Sequence, residues 1–233
     1  MTMTRRLMLG VAALLMGAVL EVAAAADATK WVEGRHYTVL RLAQPSQVPA
    51  GKVEVTEVFS YGCPACFQFQ GMVEKIKAAL PANAQLTYLH ASWNPSESWP
   101  LFQRAFLTAQ ALGVADKNHG AVFNAIWDPN GPLAVVDMQT QRIKSRQPTI
   151  EDVAKFYAAR GGVTAEQFVQ AAKSFSVETR MKQSDALVKA YLVEGTPTMV
   201  VAGKYRINGT MLSGATDYTD LIAYLVKKES GAR

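Results

Sequence analysis

Residues 52–60, KVEVTEVFS, alternate with a period of two, so Val53, Val55, Glu57 and Phe59 share one face of a predicted strand. A turn at Tyr61-Gly62 ends it. Pro64 suits the first position of a helix, and Cys66, Phe69, Val73, Ile76 and Leu80 then recur at intervals of three and four up to Pro81, which predicts one apolar stripe. A further early strand ends at His90. Late in the chain, Thr196-Pro197 precedes an apolar strand over Thr198–Val201, a turn at Ala202-Gly203 and a second strand over Lys204–Ile207. Asp217–Lys228 reads as an amphipathic helix.

Between His90 and Thr198 lie 107 residues whose pattern is helical. Trp99–Leu112 carries Leu101, Phe102, Ala105, Phe106 and Ala109 at helical spacing, and Val122, Phe123, Ile126 and Trp127 suggest a second helix. Thr149 with Asp152 and Thr164 with Gln167 mark two more N-termini, separated by Gly161-Gly162, and Ser176–Leu192 returns the chain. The aromatic residues of these helices are expected in the core. Arg142, Lys144 and Arg146 are expected in a solvated loop.

Composition narrows the class without naming it. With 49% hydrophobic, 18% charged and 9% aromatic residues, the 233-residue chain is neither disordered nor collagenous nor a small disulfide-stapled scaffold. The net charge of +5 comes without a dense Lys/Arg run, which argues against nucleic acid or a membrane surface as partner. Residues 1–26 read as a signal peptide: Arg5 and Arg6, an uncharged apolar stretch over Leu7–Leu20, and small residues over Ala23–Ala26, with cleavage expected near Ala26. Those 14 apolar residues rise about 21 Å as a helix, short of the roughly 30 Å of bilayer hydrocarbon. The arginine pair suits either general secretion or a twin-arginine route. The mature chain is therefore expected to be soluble in an exported compartment, where disulfides persist.

The chain has two cysteines, Cys63 and Cys66, in FSYGCPACFQFQ. A structural disulfide would close so short a loop that it stabilises by only about 2 kcal/mol. A zinc site would need further ligands, and His36, His90 and His119 are scattered singly. A redox centre fits the surroundings better. Cys66 begins the buried stripe, whereas Cys63 falls at the N-cap, where free backbone N–H groups and the helix dipole favour a thiolate. Cys63 is thus the expected nucleophile, open to solvent, and Cys66 the shielded thiol that resolves a mixed disulfide. Glu57 is the one polar member of its strand face. Buried, it would hold its proton and could relay it to or from Cys66; the alternatives are a carboxylate satisfied by a neighbour or one exposed at a strand end.

A strand, a CxxC pair at a helix N-terminus and a Thr-Pro before a late strand resemble the thioredoxin fold. More narrowly, GRHYTVL, EVFSYGCPACFQF, LGVADK at Leu112–Lys117 and GTPTMVVAGKYRI resemble the DsbA family of exported thiol:disulfide oxidoreductases, from about Trp31 to Lys228. The resemblance implies an α/β class: a thioredoxin fold with an inserted all-helical domain. Its expected boundaries are 27–95 and 186–233 for the discontinuous thioredoxin-like unit and 96–185 for the insert, which the 107-residue spacing also demands. It further implies a cis Pro197 against the redox pair, with Thr196, Pro197, Pro64 and Ala65 contacting an extended client. The implied activity is donation of a disulfide to unfolded exported proteins in the periplasm by a monomer without metal or cofactor, reoxidised by a DsbB-type membrane oxidase.

Two alternatives and two departures accompany it. A reductase or isomerase would use the same residues, but exported isomerases of this fold carry an N-terminal dimerisation module, and only about ten residues separate the predicted cleavage from the first strand at Tyr37. A peptide-binding chaperone would leave the CxxC incidental. Within the motif, Ala65 stands where DsbA proteins have His, so the thiolate must be held by the helix dipole and backbone donors; a loss of about 1.4 kcal/mol lowers the potential by about 30 mV. A still acidic thiolate and a weaker oxidant are expected. Tyr88 stands where some relatives place a lysine near the buried acid, which alters the expected proton relay.

Overall fold

The structure, a computed structural model, describes residues 30–94, 97–137 and 139–231; the predicted signal peptide, residues 1–26, lies outside these. Five strands form one mixed sheet: β1 (Tyr37–Val39), β2 (Val53–Phe59), β3 (Ala84–His90), β6 (Thr198–Val201) and β7 (Tyr205–Ile207), in the spatial order β1-β7-β6-β2-β3. β2 runs parallel to β3 and antiparallel to β6, with Glu57 opposite Tyr88 on one side and Met199 on the other. The parallel pair requires a crossover, and α1 (Pro64–Ala79) supplies it.

β2 departs from a half-exposed strand, because all seven of its residues are buried. The cause is its position inside the sheet with a layer on each face. On one face Val53 and Val55 pack with Ile76 of α1 and with Leu221 and Leu225 of α7 (Ala215–Ser230). On the other, Val58 and Phe59 join the core of the insert, among Phe102, Phe106 and Phe123, so Phe59, expected on the face of Val53 and Val55, packs instead with the insert at the end of the strand.

The insert contains α2 (Trp99–Ala111), α3 (His119–Trp127), α4 (Ile150–Ala159), α5 (Ala165–Ala172) and α6 (Phe175–Ala190). It is helical apart from a short hairpin, β4 (Val136–Asp137) with β5 (Arg142–Ile143), paired Val136 to Ile143. Arg142, expected in a loop, therefore lies in a strand, though Arg142 and Lys144 stay at least partly exposed and Arg146 meets Asp152 at 2.9 Å on the surface. Thr149 and Thr164 each close a reciprocal capping box, with Asp152 and Gln167. α6 starts earlier than the pattern predicts, because the Ser174 hydroxyl caps it by accepting from Val177 N–H. It then runs unbroken past residue 185 and packs on α2 and β3.

The caps are testable singly. Thr164→Ala removes the acceptor for Gln167 N–H at 3.1 Å and should lower stability by about 1 kcal/mol. The expected result is a lower urea midpoint at unchanged m-value; an unchanged midpoint would show that the cap contributes nothing.

Candidate active site

β2 ends by delivering its chain to a tight turn. Gly62 N–H donates to the Ser60 hydroxyl at 3.1 Å and Cys63 N–H to the Ser60 carbonyl at 3.1 Å. The turn leaves room for no side chain at Gly62, where a Cβ would lie 2.8 Å from Cδ1 of Trp99. Cys63 follows as the N-cap of α1, with extended backbone (φ −98°, ψ 115°), and Pro64 opens the helix. Its sulfur occupies the place of a capping oxygen, accepting from Cys66 N–H at 3.3 Å. No acidic side chain stands in the first turn to offset the positive end of the helix.

Both cysteines are free thiols, and the environment separates them. The Cys63 thiol is lowered to about 6, chiefly by a hydrogen bond from the Cys66 side chain, while burial opposes the shift. The Thr196 side chain and the backbone N–H groups of Cys66 and Ala65 also favour the thiolate. The partner thiol leads, with the backbone donors expected from the sequence behind it. The Thr196 carbonyl, 3.5 Å from the sulfur, can only accept and so favours the protonated form. Cys66 moves the other way, pushed far up by burial and then by its bond to Cys63. Contrary to expectation Cys63 is not open to solvent: it retains 6% exposure against 0% for Cys66. The Thr196 carbonyl lies against its sulfur.

Glu57 is fully buried, and neither carboxylate oxygen has a hydrogen-bond partner among the described residues. Burial, and after it negative charge on Cys63, pushes its pKa up to about 8. Neither a satisfied carboxylate nor one exposed at a strand end is observed. Its neighbour in register, Tyr88, is half-buried, is pushed above its ordinary range chiefly by burial, and supplies no cation. Thr196 and Pro197 are half-buried and joined by a cis peptide bond, while Pro64 and Ala65 are exposed.

Three side chains that the sequence did not single out for this site hold the turn from behind. Tyr61 N–H donates to His90 Nε2 at 3.1 Å, its carbonyl accepts from Trp127 Nε1 at 3.0 Å, and its hydroxyl lies 3.0 Å from His119 Nδ1. The residue two before Cys63 is therefore fastened to β3 and to α3. Burial lowers both histidines to about 3, so they are neutral anchors. Their isolation in the sequence suited structural histidines, and only the approach of α3 to the turn reveals what they hold.

The family model described as DSBA-like thioredoxin domain matches residues 54–226. The thiol:disulfide interchange protein DsbA of Pseudomonas aeruginosa is 35% identical over 208 residues, 89% of this chain and 90% of that protein. A crystal structure of Pseudomonas aeruginosa DsbA matches with a TM-score of 0.71 at 33% identity, covering 88% of this chain and 97% of that one. The oxidoreductase DsbA from Xylella fastidiosa matches with a TM-score of 0.71 at 31% identity, covering 86% and 98%.

The buried acid has a measurable sign. Glu57 is held near 8 in the folded chain against about 4.3 when unfolded, so the native state keeps a proton that the unfolded state has released. Stability is full below the unfolded value and falls as pH rises towards 8, by at most about 5 kcal/mol at about 1.4 kcal/mol per unit. In the reduced protein the lowered Cys63 opposes this, since its contribution is lost as pH falls through about 6. Denaturant titration of the oxidised protein isolates Glu57 with burial, the larger cause of its shift, acting without the charge on Cys63. Glu57→Gln should gain several kcal/mol on wild type between pH 4.5 and 8; parallel stability curves would contradict the buried, unpaired carboxylate.

Proposed function

The chain belongs to the DsbA-like thioredoxin family and is a thiol:disulfide oxidoreductase, and on that premise we propose how its residues divide the work. The observation that carries the proposal is the inequality of the two thiols: Cys63 is lowered to about 6 while Cys66 is raised far above the ordinary range. A thiol that ionises easily is a good leaving group and a stable end product, so the reduced pair is favoured and the disulfide is readily given away.

A client thiolate attacks the sulfur of Cys63 in the Cys63–Cys66 disulfide, a client–Cys63 bond forms, and Cys66 departs as a thiolate. Fully buried, Cys66 cannot remain charged and takes up a proton. Glu57, protonated at neutral pH and fully buried on the strand leading into the motif, is the proposed donor, and its carboxylate regains the proton from solvent. The client's second thiolate then attacks its own sulfur in the mixed disulfide and expels Cys63 as a thiolate. Two electrons have passed to the protein and one disulfide to the client.

Pro64 and Ala65 on one side and Thr196 and Pro197 on the other flank the reacting sulfur, where we propose they guide an extended client through backbone contacts. In this reading the unit formed by 27–95 and 186–233 carries the redox pair, and the insert, 96–185, covers one side of it. α6 passes through the second boundary and ties the two together. No helix among the described residues is long and apolar enough to cross a membrane. Residues 1–26 would address the chain to the periplasm, its clients would be unfolded exported proteins with free cysteines, and a membrane oxidase of the DsbB type would restore the disulfide.

Turnover of a reduced two-cysteine peptide tests the assignment. The oxidised protein should convert it to the peptide disulfide, Cys63→Ser should abolish turnover, and Cys66→Ser, preloaded as a mixed disulfide with the peptide, should release product only by attack of the peptide's second thiol. Equal activity of Cys63→Ser and wild type would overturn the assignment.

A further inference from the structure

A groove of about 590 Å³ opens beside the redox turn, on the side formed by the insert. Pro64 and Phe67 of α1, Trp99 of α2, Trp127 of α3, and Val136 and Ile143 of the hairpin line it. The pairing of Val136 opposite Ile143 directs both side chains to one face of the hairpin, and that face forms the wall. Ile143 is 55% exposed at the rim, while Phe67 and Trp127 stack at 6.3 Å.

The polar groups around this groove are largely occupied with one another. Trp127 Nε1 donates to the Tyr61 carbonyl, Trp99 Nε1 to Glu97 at 3.1 Å, and the Ser98 hydroxyl to Gln147 at 2.7 Å. Gln147 in turn donates to the carbonyls of Val135 and Lys144. What these residues present outward is mainly apolar and aromatic surface. The groove's size lies in the range that accommodates small organic ligands, enough for more than one side chain.

Its position gives the groove an occupant. Gly62 and Pro64, the residues on either side of Cys63, line it, so it is continuous with the surface where the client sulfur must arrive. A separate depression of about 490 Å³, lined by Thr196, Pro197, Asn208 and Arg206, adjoins Cys63 through Thr196, whose carbonyl is 3.5 Å from the sulfur. Its lining is more polar. A chain joined to Cys63 through its own cysteine therefore meets unlike surfaces on its two flanks.

We propose that the hairpin-walled groove is a specificity subsite, which takes a long aliphatic or aromatic side chain of the client a few residues from the cysteine being oxidised, on the flank away from Thr196-Pro197. This rests on the oxidoreductase reading above. Burial of such a side chain in a preformed apolar pocket selects it over a short polar one, and Ile143 sets the selectivity at the rim.

Two-cysteine peptides that differ only at the flanking positions, Leu against Ser, test the proposal. Wild type should prefer the Leu peptides on at least one flank by about 10-fold or more in kcat/KM. Ile143→Lys, a change at an exposed position, should reduce that ratio several-fold and favour peptides with Glu at the same flank. A ratio near one in wild type, or the same ratio in both proteins whatever their absolute rates, overturns the subsite. Peptides with Ser in place of both cysteines separate this outcome from a failure of the redox assignment. Binding of the Leu peptide should change tryptophan emission through Trp99 and Trp127, more weakly in Ile143→Lys; no change, or an equal change in both proteins, again overturns the proposal.

Discussion

The site depends on a sulfur doing the work of a helix cap. An oxygen at that position would accept from Cys66 N–H and remain neutral. The Cys63 sulfur accepts the same bond at 3.3 Å, and its anion gains further from the Cys66 side chain and from the backbone N–H of Ala65. Forming the disulfide removes that anion and with it the interaction. At pH 7, a thiol of pKa about 6 instead of about 9 favours the reduced state by about 1.4 kcal/mol, or about 30 mV. Since Ala65 carries no polar side chain, its contribution comes through the main chain alone.

The same arrangement limits the number of negative charges. Cys63, Cys66 and Glu57 are all buried, and water cannot stabilise more than one anion there. Charge on Cys63 raises both other groups. The thiolate therefore coexists with a protonated Glu57 and a protonated Cys66, which is the state left after a disulfide has been donated. Fastening of Tyr61 by His90, His119 and Trp127 keeps the turn that carries Cys63 in register with the helix it caps.

Much of this was legible in the sequence where it depended on local rules. Period-two alternation located β2, Pro64 and the stripe from Cys66 located α1, and Thr149 and Thr164 announced their capping boxes. Glu57 stood out because a carboxyl in an apolar strand has few places to go. What escaped depended on approach between distant elements. The burial of Cys63 arises from a peptide 133 residues away, at Thr196. His119 and Trp127 matter because α3 lies against the turn, and nothing in their own neighbourhood signals it. The hairpin was hidden for a different reason: strands of two residues carry too little periodicity to register, and Arg142 and Lys144 made the segment read as loop.

In the reduced protein Cys63 is the anion and Cys66 remains a thiol across the neutral range. The dependence of the reduction potential on pH reports this, because its slope counts the protons taken up with two electrons. Measured in Glu57→Gln, which removes the other group whose protonation follows the charge on Cys63, the potential should fall by about 59 mV per pH unit below about pH 6 and by about 30 mV per unit from there to at least pH 8, as one proton rather than two accompanies reduction. A slope that stays near 59 mV per unit up to pH 8 would mean that Cys63 is protonated in the reduced protein, and would contradict the account.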